Sequence, residues 1–168
     1  MKSKDRHFVW ILTGVIAGLG LALIWPHEPV AAVATDRNEK FAICTAPLGV
    51  GAEGIFVLDF LTGRLTGAGV NRMGGNNYGF VNFYFRNLAE DFQVDGNATP
   101  YYAITSGRAE IPNSGRTQWG DSVIYVAEMN SGKVAAYAVP YRITQTAQPP
   151  VPLVPLASFP FREATITE

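Results

Sequence analysis

Histidine is nearly absent from this chain: only two occur in 168 residues, His7 and His27. Everything after His27 must therefore work without an imidazole, which excludes Ser-His-Asp and Cys-His catalytic arrangements there. The chain has a single cysteine, Cys44, so it can form no intrachain disulfide. One cysteine also cannot supply a zinc site built from cysteine and histidine.

Charge is scarce as well, with 16% charged residues and a formal net charge of −1. Such a balance gives no broad basic field to attract nucleic acid. The segment 49–54 matches the G-x-G-x-x-G pattern of dinucleotide sites, but a β-branched and aromatic run follows where that site needs a helix. We therefore predict no nucleotide, no other cofactor and no bound metal ion.

A long uncharged run does occur, spanning 18 residues from Phe8 to Trp25. As a helix it measures about 27 Å, close to the thickness of a bilayer core. Basic residues precede it, which predicts a cytoplasmic N-terminus at 1–7, a transmembrane signal anchor at 8–25 and an extracytoplasmic, for example periplasmic, remainder from 26 to 168. The alternative is cleavage after Ala34, which would release a secreted protein.

Two features of the sequence suggest ways of linking subunits. Gly14 and Gly18 form a G-x-x-x-G pair in the apolar run and are the candidate face for helix dimerisation. Cys44 is favoured as a small buried residue on a strand, and the other possibility is an intermolecular disulfide.

Beyond a linker at 26–39, short runs rich in aromatic and β-branched residues predict strands. The predicted strands are Phe41–Ala46, Ile55–Leu61, Phe80–Arg86, Tyr101–Thr105, Val123–Met129 and Val134–Tyr141, with Arg64–Val70 as a weaker seventh. Gly67 and Gly69 predict a bulge in that weaker strand. One short helix is expected at Leu88–Phe92, with Asn87 as its N-cap and Glu90 completing a capping box.

Two stretches of the chain resemble each other, one beginning at Lys40 and one at Pro100. In each, a tight turn ends in a glycine followed by a basic residue, Gly63-Arg64 and Gly132-Lys133. The pattern predicts an all-β domain at 40–142: a single antiparallel meander of six to seven strands from two degenerate three-stranded repeats, barrel- or sandwich-like. Counting strands places both hairpin turns at one end and the longer loops at the other.

The central strands of both repeats are apolar on both faces, which predicts that both faces of the sheet are covered. The cover is provided by closure into a barrel or sandwich, by the C-terminal tail or by another chain. Six of the 11 prolines lie from Pro140 onward, which predicts that residues 143–168 form a proline-rich, extended tail rather than a strand.

The best candidate for partner binding is the loop Ile111–Gly120, which carries Arg116 and Trp119 and is followed by Asp121. An arginine and a tryptophan together are typical of interface anchors. The carboxylates are dispersed along the chain, so a carboxylate-dependent hydrolase is the least favoured function.

Two resemblances add to these predictions. The segments Leu58–Leu65 and Tyr125–Val134 resemble the strand–turn–strand of quinoprotein-type propeller blades, although two copies are too few for a propeller. The order of anchor, LDFLTGRL, VIYVAE with SGKVAAYAVPY, and proline-rich segment resembles a family of small, membrane-anchored, exported bacterial proteins of uncharacterised function. That resemblance implies no active-site residues. The expected function is a non-catalytic, membrane-anchored binding module, and the alternative is a self-assembling structural component of the cell envelope.

Overall fold

The computed structural model describes residues 10, 12–16, 20, 35–49, 51–94, 99–113 and 118–162. The chain divides into two compact units, Met1–Ala31 and Ala32–Glu168. In the first unit residues 12–16 are helical. Among the described residues, no helix combines the length and the apolar character that crossing a membrane requires.

The second unit is built almost entirely of strands. In chain order they are β1 Thr35–Arg37, β2 Phe41–Gly49, β3 Ala52–Asp59, β4 Arg64–Gly74, β5 Asn77–Asn87, β6 Tyr102–Arg108, β7 Trp119–Glu128, β8 Lys133–Pro140, β9 Val151–Pro152 and β10 Val154–Pro160. A five-residue helix, α1, occupies Leu88–Phe92 between β5 and β6. The prediction of an all-β domain with one short helix is confirmed.

The strands form two sheets, so the predicted single meander is wrong. One sheet has the order β1-β2-β3-β4-β5-β9 and the other has the order β10-β8-β7-β6. Neighbours are antiparallel in both, except that β9 runs parallel to β5. Each sheet contains one of the two similar stretches as consecutive strands, β2-β3-β4 and β6-β7-β8. Helix α1 lies between these two groups of strands in the chain. The two sheets pack through their apolar inner faces and are not joined edge to edge.

The core lies between the two sheets, as in a sandwich, and neither sheet closes into a barrel. Small side chains on β2, Ala42, Cys44 and Ala46, are buried there and allow the sheets to approach closely. The Ser106 hydroxyl on β6 donates a hydrogen bond of 2.5 Å to the Thr45 carbonyl on β2, which links the two sheets. The large core residues of the two sheets include Leu48, Phe56, Leu58, Leu65, Tyr84, Tyr102, Ile104, Ile124, Val126, Tyr137 and Val139.

The two hairpin turns have the same construction. Asp59 is paired with Arg64 across a four-residue turn, and Glu128 is paired with Lys133 in the same way. The acidic side chain accepts hydrogen bonds from backbone amides of its own turn, from Leu61 at 2.9 Å in the first hairpin. The final turn residues, Gly63 and Gly132, have φ values of 63° and 70°, which glycine adopts without steric cost.

Both hairpin turns lie at the same end of the domain. The Phe60 amide donates to the Lys40 carbonyl, and the Met129 amide donates to the Tyr101 carbonyl. At the opposite end the β2–β3 turn meets the start of β7, where the Asp121 carboxylate lies 3.4 Å from the position of a Cβ on Gly49. The segment 49–54 thus connects two strands, which is not the strand-to-helix turn of a dinucleotide site.

The proline-rich segment contains two strands, which corrects the prediction of an extended tail. β10 pairs with β8 at one edge of the smaller sheet, and β9 pairs with Tyr84 and Phe85 at the edge of the larger sheet. Proline is tolerated in such edge strands because one side of the strand needs no amide donors. Leu153, between the two strands, is completely buried in the core.

β1 lies inside the predicted linker at 26–39 and was not predicted. Its sequence, Thr-Asp-Arg, has neither apolar alternation nor β-branched enrichment beyond one threonine. It forms a strand because Thr35 and Arg37 pair with Cys44 and Ala42 at the free edge of β2. Tertiary pairing therefore decides its conformation.

In this single chain the sandwich covers the inner faces of the central strands, and side chains on their outer faces stay partly exposed. Cover of the outer faces by another chain stays a prediction. Ile55 on β3 is 38% exposed and Tyr125 on β7 is 37% exposed. On the larger sheet Ile43 and Phe85 are similarly exposed, so that a row of apolar side chains faces outward. Only the inner face of each sheet is closed by the sandwich.

The bulge predicted from the two glycines of β4 is present, with a register shift between Gly69 and Val70. Gly67 also has a packing role, because a Cβ there would collide with the ring of Phe56. The predicted capping box is wrong in detail. Asn87 is the N-cap residue, but its side chain makes no hydrogen bond to the helix backbone. The side-chain amide of Asn87 instead donates to Glu90 Oε1 at 2.6 Å.

Candidate functional site

A cavity of about 400 Å³ lies beside Trp119, between the middle of β5, the start of β7, the end of β8 and the proline-rich segment. We call it the Trp119 cavity. Its apolar lining comprises Phe83, Trp119, Pro140, Tyr141, Pro149, Val151, Pro152 and Val154, and its polar lining comprises Asn82, Gln118, Arg142 and Gln148. This volume and this mostly apolar wall with few polar groups are typical of small-ligand sites.

One wall of the cavity is made where β7 and β8 meet. Trp119 pairs with Pro140, and the Tyr141 amide donates to the Gln118 carbonyl at 2.9 Å, which extends the ladder by one bond. A register shift follows Trp119 before regular pairing resumes at Val123. Bulges of this kind change the direction of side chains at the ends of sheets.

The facing wall is the segment that crosses from the smaller sheet to the larger one. The Asn82 side-chain amide donates to the Arg142 carbonyl at 3.0 Å, and the Gln148 amide donates to the Val81 carbonyl at 2.7 Å. Further along, the Leu153 amide donates to the Phe85 carbonyl at 3.0 Å. Three hydrogen bonds between β5 and the crossing segment therefore hold this segment in place.

Tyr141 is buried and anchors the base of the cavity. Its hydroxyl donates a hydrogen bond of 2.9 Å to Asn71 Oδ1. Nearby polar groups are less well satisfied, since Asn71 Nδ2 and the Tyr84 hydroxyl are buried without a hydrogen-bond partner in the described part of the chain. Burial, and secondarily Tyr141, raises the pKa of Tyr84 far above its ordinary value, so this phenol stays neutral.

The three predicted partner-binding residues have different fates. Trp119 lines the cavity and is half-buried, and its backbone amide donates to Asn113 Oδ1 at 3.3 Å. Asp121 lies against the β2–β3 turn at Gly49 and is not part of the cavity wall. Arg116 falls outside the described residues. Of the three, Trp119 is the one that the structure places in a candidate site.

The two proposed ways of linking subunits fare unequally. Cys44 is completely buried, and this burial raises the pKa of its thiol to about 12. It is the small core residue that the sequence favoured, and it is not positioned for an intermolecular disulfide. Gly14 is described and has open space around it, whereas Gly18 lies outside the described residues.

The structure assigns structural roles to three carboxylates. Asp59 binds amides of the first hairpin turn, as described above. Glu128 is 2% exposed and accepts from the amides of Tyr101, Asn130 and Ser131 at 3.2, 3.1 and 2.6 Å. Burial alone would raise the pKa of Glu128, but these hydrogen bonds outweigh it and hold the pKa below its ordinary value.

The third carboxylate, Asp91, connects α1 with both sheets. Arg86 on β5 binds it through two hydrogen bonds, of 2.7 Å from Nε and 2.5 Å from Nη2. Tyr137 on β8 donates its hydroxyl to Asp91 Oδ2 at 2.8 Å. The hydrogen bond to Asp91 raises the pKa of Arg86, and burial together with Asp91 raises the pKa of Tyr137.

A second cavity, of about 890 Å³, opens at the hairpin end of the domain. Arg37, Lys40, Phe41, Leu61 and Tyr101 line it, and we call these five residues the hairpin-end surface. The guanidinium carbon of Arg37 lies 4.4 Å from the centroid of the Tyr101 ring and 5.0 Å from that of Phe60. An arginine between two aromatic rings is held by cation–π attraction.

Sequence reasoning missed Tyr141, Arg142 and the crossing segment as parts of a site. The run Pro140-Tyr141-Arg142 gave the available signal, because an aromatic and a cation directly follow a strand. Arg37 could not be identified, since its two ring partners are more than 20 residues away in the sequence. Within the described ranges, no three His, Cys, Asp or Glu side chains lie close enough together to hold a metal ion.

Comparison with known proteins identifies no relative. The chain matches none of the known protein families, none of the curated proteins and none of the solved structures with which it was compared.

Proposed function

We propose that the domain from Thr35 to Arg162 is a non-catalytic binding module and that the Trp119 cavity is its binding site. The observation that carries the proposal is the composition of the wall. The described residues that line the cavity include no Asp, Glu, His, Cys or Lys, the usual side chains for general acid–base catalysis. Aromatic rings, prolines and valines together make up most of the lining, which suits burial of an apolar group.

The polar residues at the cavity suggest the class of ligand. Arg142 supplies a positive charge, and the Gln118 side-chain amide supplies donors. The Gln148 side-chain amide is already bound to Thr144 and Thr146. An apolar, preferably aromatic, group attached to a carboxylate or another anion matches this combination. A side chain of a partner protein and a small molecule share this chemistry.

We further propose that residues 8–25 anchor the module in a membrane, with residues 1–7 in the cytoplasm and residues 26–168 outside it. The length and hydrophobicity of the uncharged run support this proposal. Secretion after cleavage at Ala34 is the alternative. A carboxylate-dependent hydrolase is less favoured, because Asp59, Asp91 and Glu128 are already bound to backbone amides or to Arg86.

A self-assembling envelope component is the second candidate function. The observation that favours it is the exposed apolar row on the outer face of the larger sheet, at Ile43, Ile55 and Phe85. An exposed apolar patch of this kind marks association surfaces. In that case the contacts are made between copies of this chain, and the Trp119 cavity has no part in them.

The ligand class is tested with an aromatic acid and a matched aromatic amine. The full chain is produced with 5-fluorotryptophan, and the Trp119 resonance is assigned by its loss in Trp119→Phe. 2-Naphthoate should shift this resonance saturably, whereas 2-naphthylmethylamine should not. Arg142→Met should weaken naphthoate binding about tenfold, the loss of one charge-assisted contact. Equal responses to the acid and the amine would contradict the proposed ligand class.

A further inference from the structure

The hairpin-end surface exposes large apolar side chains next to cations. Leu61 is 89% exposed, Tyr101 is 52% exposed and Phe41 is 41% exposed. Single exposed apolar residues are common on proteins, but these three line one cavity together with Arg37 and Lys40. The surface therefore combines an apolar patch with groups that bind anions.

The charged residues of this cavity differ in how free they are to contact a ligand. Asp59 also lines the cavity, but its Oδ1 atom accepts hydrogen bonds from the amides of Leu61 and Thr62 at 2.9 and 3.4 Å. Glu39 is the other carboxylate there. Arg37 stacks on two rings and, within the described part of the chain, has no carboxylate partner, so its N–H donors are available to an anion.

The path of the chain favours one occupant for this surface. The chain enters the domain at Thr35, which pairs with Cys44, and β1 then runs towards the hairpin-end surface and reaches it at Arg37. Ten residue steps separate Trp25, the last residue of the uncharged run, from Thr35, and they span at most about 35 Å. An anchored run would therefore keep Thr35, and with it the nearby hairpin-end surface, within reach of the bilayer.

From these observations we propose that the hairpin-end surface docks onto the phospholipid surface of the membrane that anchors the chain. Leu61, Phe41 and Tyr101 enter the interface between headgroups and acyl chains, and Arg37 and Lys40 contact lipid phosphates. This inference rests on the proposed anchorage, and it is independent of the Trp119 cavity.

The physical basis is the combination of a tether with a small amphipathic surface. Aromatic rings and long basic side chains favour the interface, where an apolar body and a polar tip are both satisfied. Three side chains give weak binding by themselves. A tether raises the effective concentration of the surface near the bilayer, so weak contacts suffice to keep it docked.

The docking is tested with a fluorescent label at Leu61. Because Cys44 is completely buried, an exposed cysteine introduced by Leu61→Cys can be labelled selectively with a nitrobenzoxadiazole maleimide. The matched control is Tyr78→Cys. Tyr78 is 69% exposed and lies beside the β4–β5 turn, at the end of β5 that is remote from the hairpin-end surface. Both full chains are reconstituted into phosphatidylcholine–phosphatidylglycerol vesicles, with and without spin-labelled lipid as a quencher.

Docking predicts blue-shifted emission and several-fold stronger lipid quenching for the label at 61 than for the label at 78. It also predicts that Arg37→Gln lowers the quenching at 61, while Arg108→Gln, at the opposite end of the domain, leaves it unchanged. Equal quenching at the two positions in a chain that floats with the vesicles overturns the docking and leaves the anchorage standing. A chain that does not float with the vesicles overturns both.

Discussion

The hydroxyl of Tyr137 on β8 donates a hydrogen bond of 2.8 Å to Oδ2 of Asp91 on α1. Tyr137 is completely buried in the core, and Asp91 is bound at the same time by Arg86 from the other sheet. The helix that interrupts the chain between the two sheets therefore also connects them. From the sequence Asp91 could only be described as one of several dispersed carboxylates, but in the structure it links the two sheets.

From the Tyr137–Asp91 hydrogen bond we predict the effect of Tyr137→Phe on stability. The substitution keeps the ring and removes one buried hydrogen bond to a charged acceptor, so the free energy of unfolding should fall by about 1.5–3 kcal/mol. The measurement is urea unfolding of the full chain in detergent. Tyr125→Phe, on the exposed outer face of β7, is the matched control and should change stability little. Equal effects of the two substitutions would contradict the role of the Tyr137–Asp91 bond.

Gly67→Ala should destabilise the domain because the new methyl group collides with Phe56, which is completely buried. Overpacking of this kind costs about 1–3 kcal/mol. The cause can be isolated by making the same substitution in a Phe56→Leu background, where the smaller side chain leaves room. The cost should be clearly lower there, and an unchanged cost would show that the loss comes from the backbone instead.

We predict that the fold loses stability in acid because Glu128 becomes protonated. Its pKa is lowered in the folded state, so its contribution to stability is complete above the unfolded pKa of about 4.3 and is lost as the pH falls through the folded value. Glu128→Gln should lower stability at neutral pH and flatten its decline in acid. Glu110→Gln, at an exposed position, should leave the pH profile of the urea midpoint unchanged. Identical profiles for Glu128→Gln and the unsubstituted chain would contradict this account.

Cys44 should react very slowly with thiol reagents in the folded chain. Its side chain has no exposed surface, and with a pKa of about 12 almost none of it is thiolate near neutral pH. The rate of reaction with a disulfide reagent should rise by orders of magnitude in denaturant. Rapid labelling of the native chain, or a disulfide-linked dimer on a non-reducing gel, would contradict the buried position.

The hairpins were predictable from sequence because their signals are local. In each turn an acidic residue, three intervening residues, a glycine and a basic residue occur together, as in Asp59–Arg64. The separation into two sheets was not predictable in this way. It depends on β2 packing against β6 and β7 and on α1 redirecting the chain, which are contacts between distant parts of the sequence.

The same distinction explains the candidate site. Trp119 was identified because it shares the loop Ile111–Gly120 with Arg116, and an arginine and a tryptophan together are typical of interface anchors. The cavity itself brings together Asn82, Tyr141 and Gln148, which come from different parts of the chain. The proline-rich segment was predicted to be a tail because prolines lack amide donors, yet edge pairing with β5 and β8 needs few of them.

The central claim, that the domain acts by binding a partner through the Trp119 cavity, is tested most directly by crosslinking in the intact cells that make the protein. A photoreactive benzoylphenylalanine replaces Phe83 in the cavity wall, and in a control chain it replaces the exposed Tyr78. The adducts are identified by mass spectrometry. We expect one foreign molecule to be crosslinked from position 83 and not from position 78, and to be lost when Val154→Trp fills the cavity. Crosslinks to other copies of this chain alone would contradict the binding account and favour self-assembly.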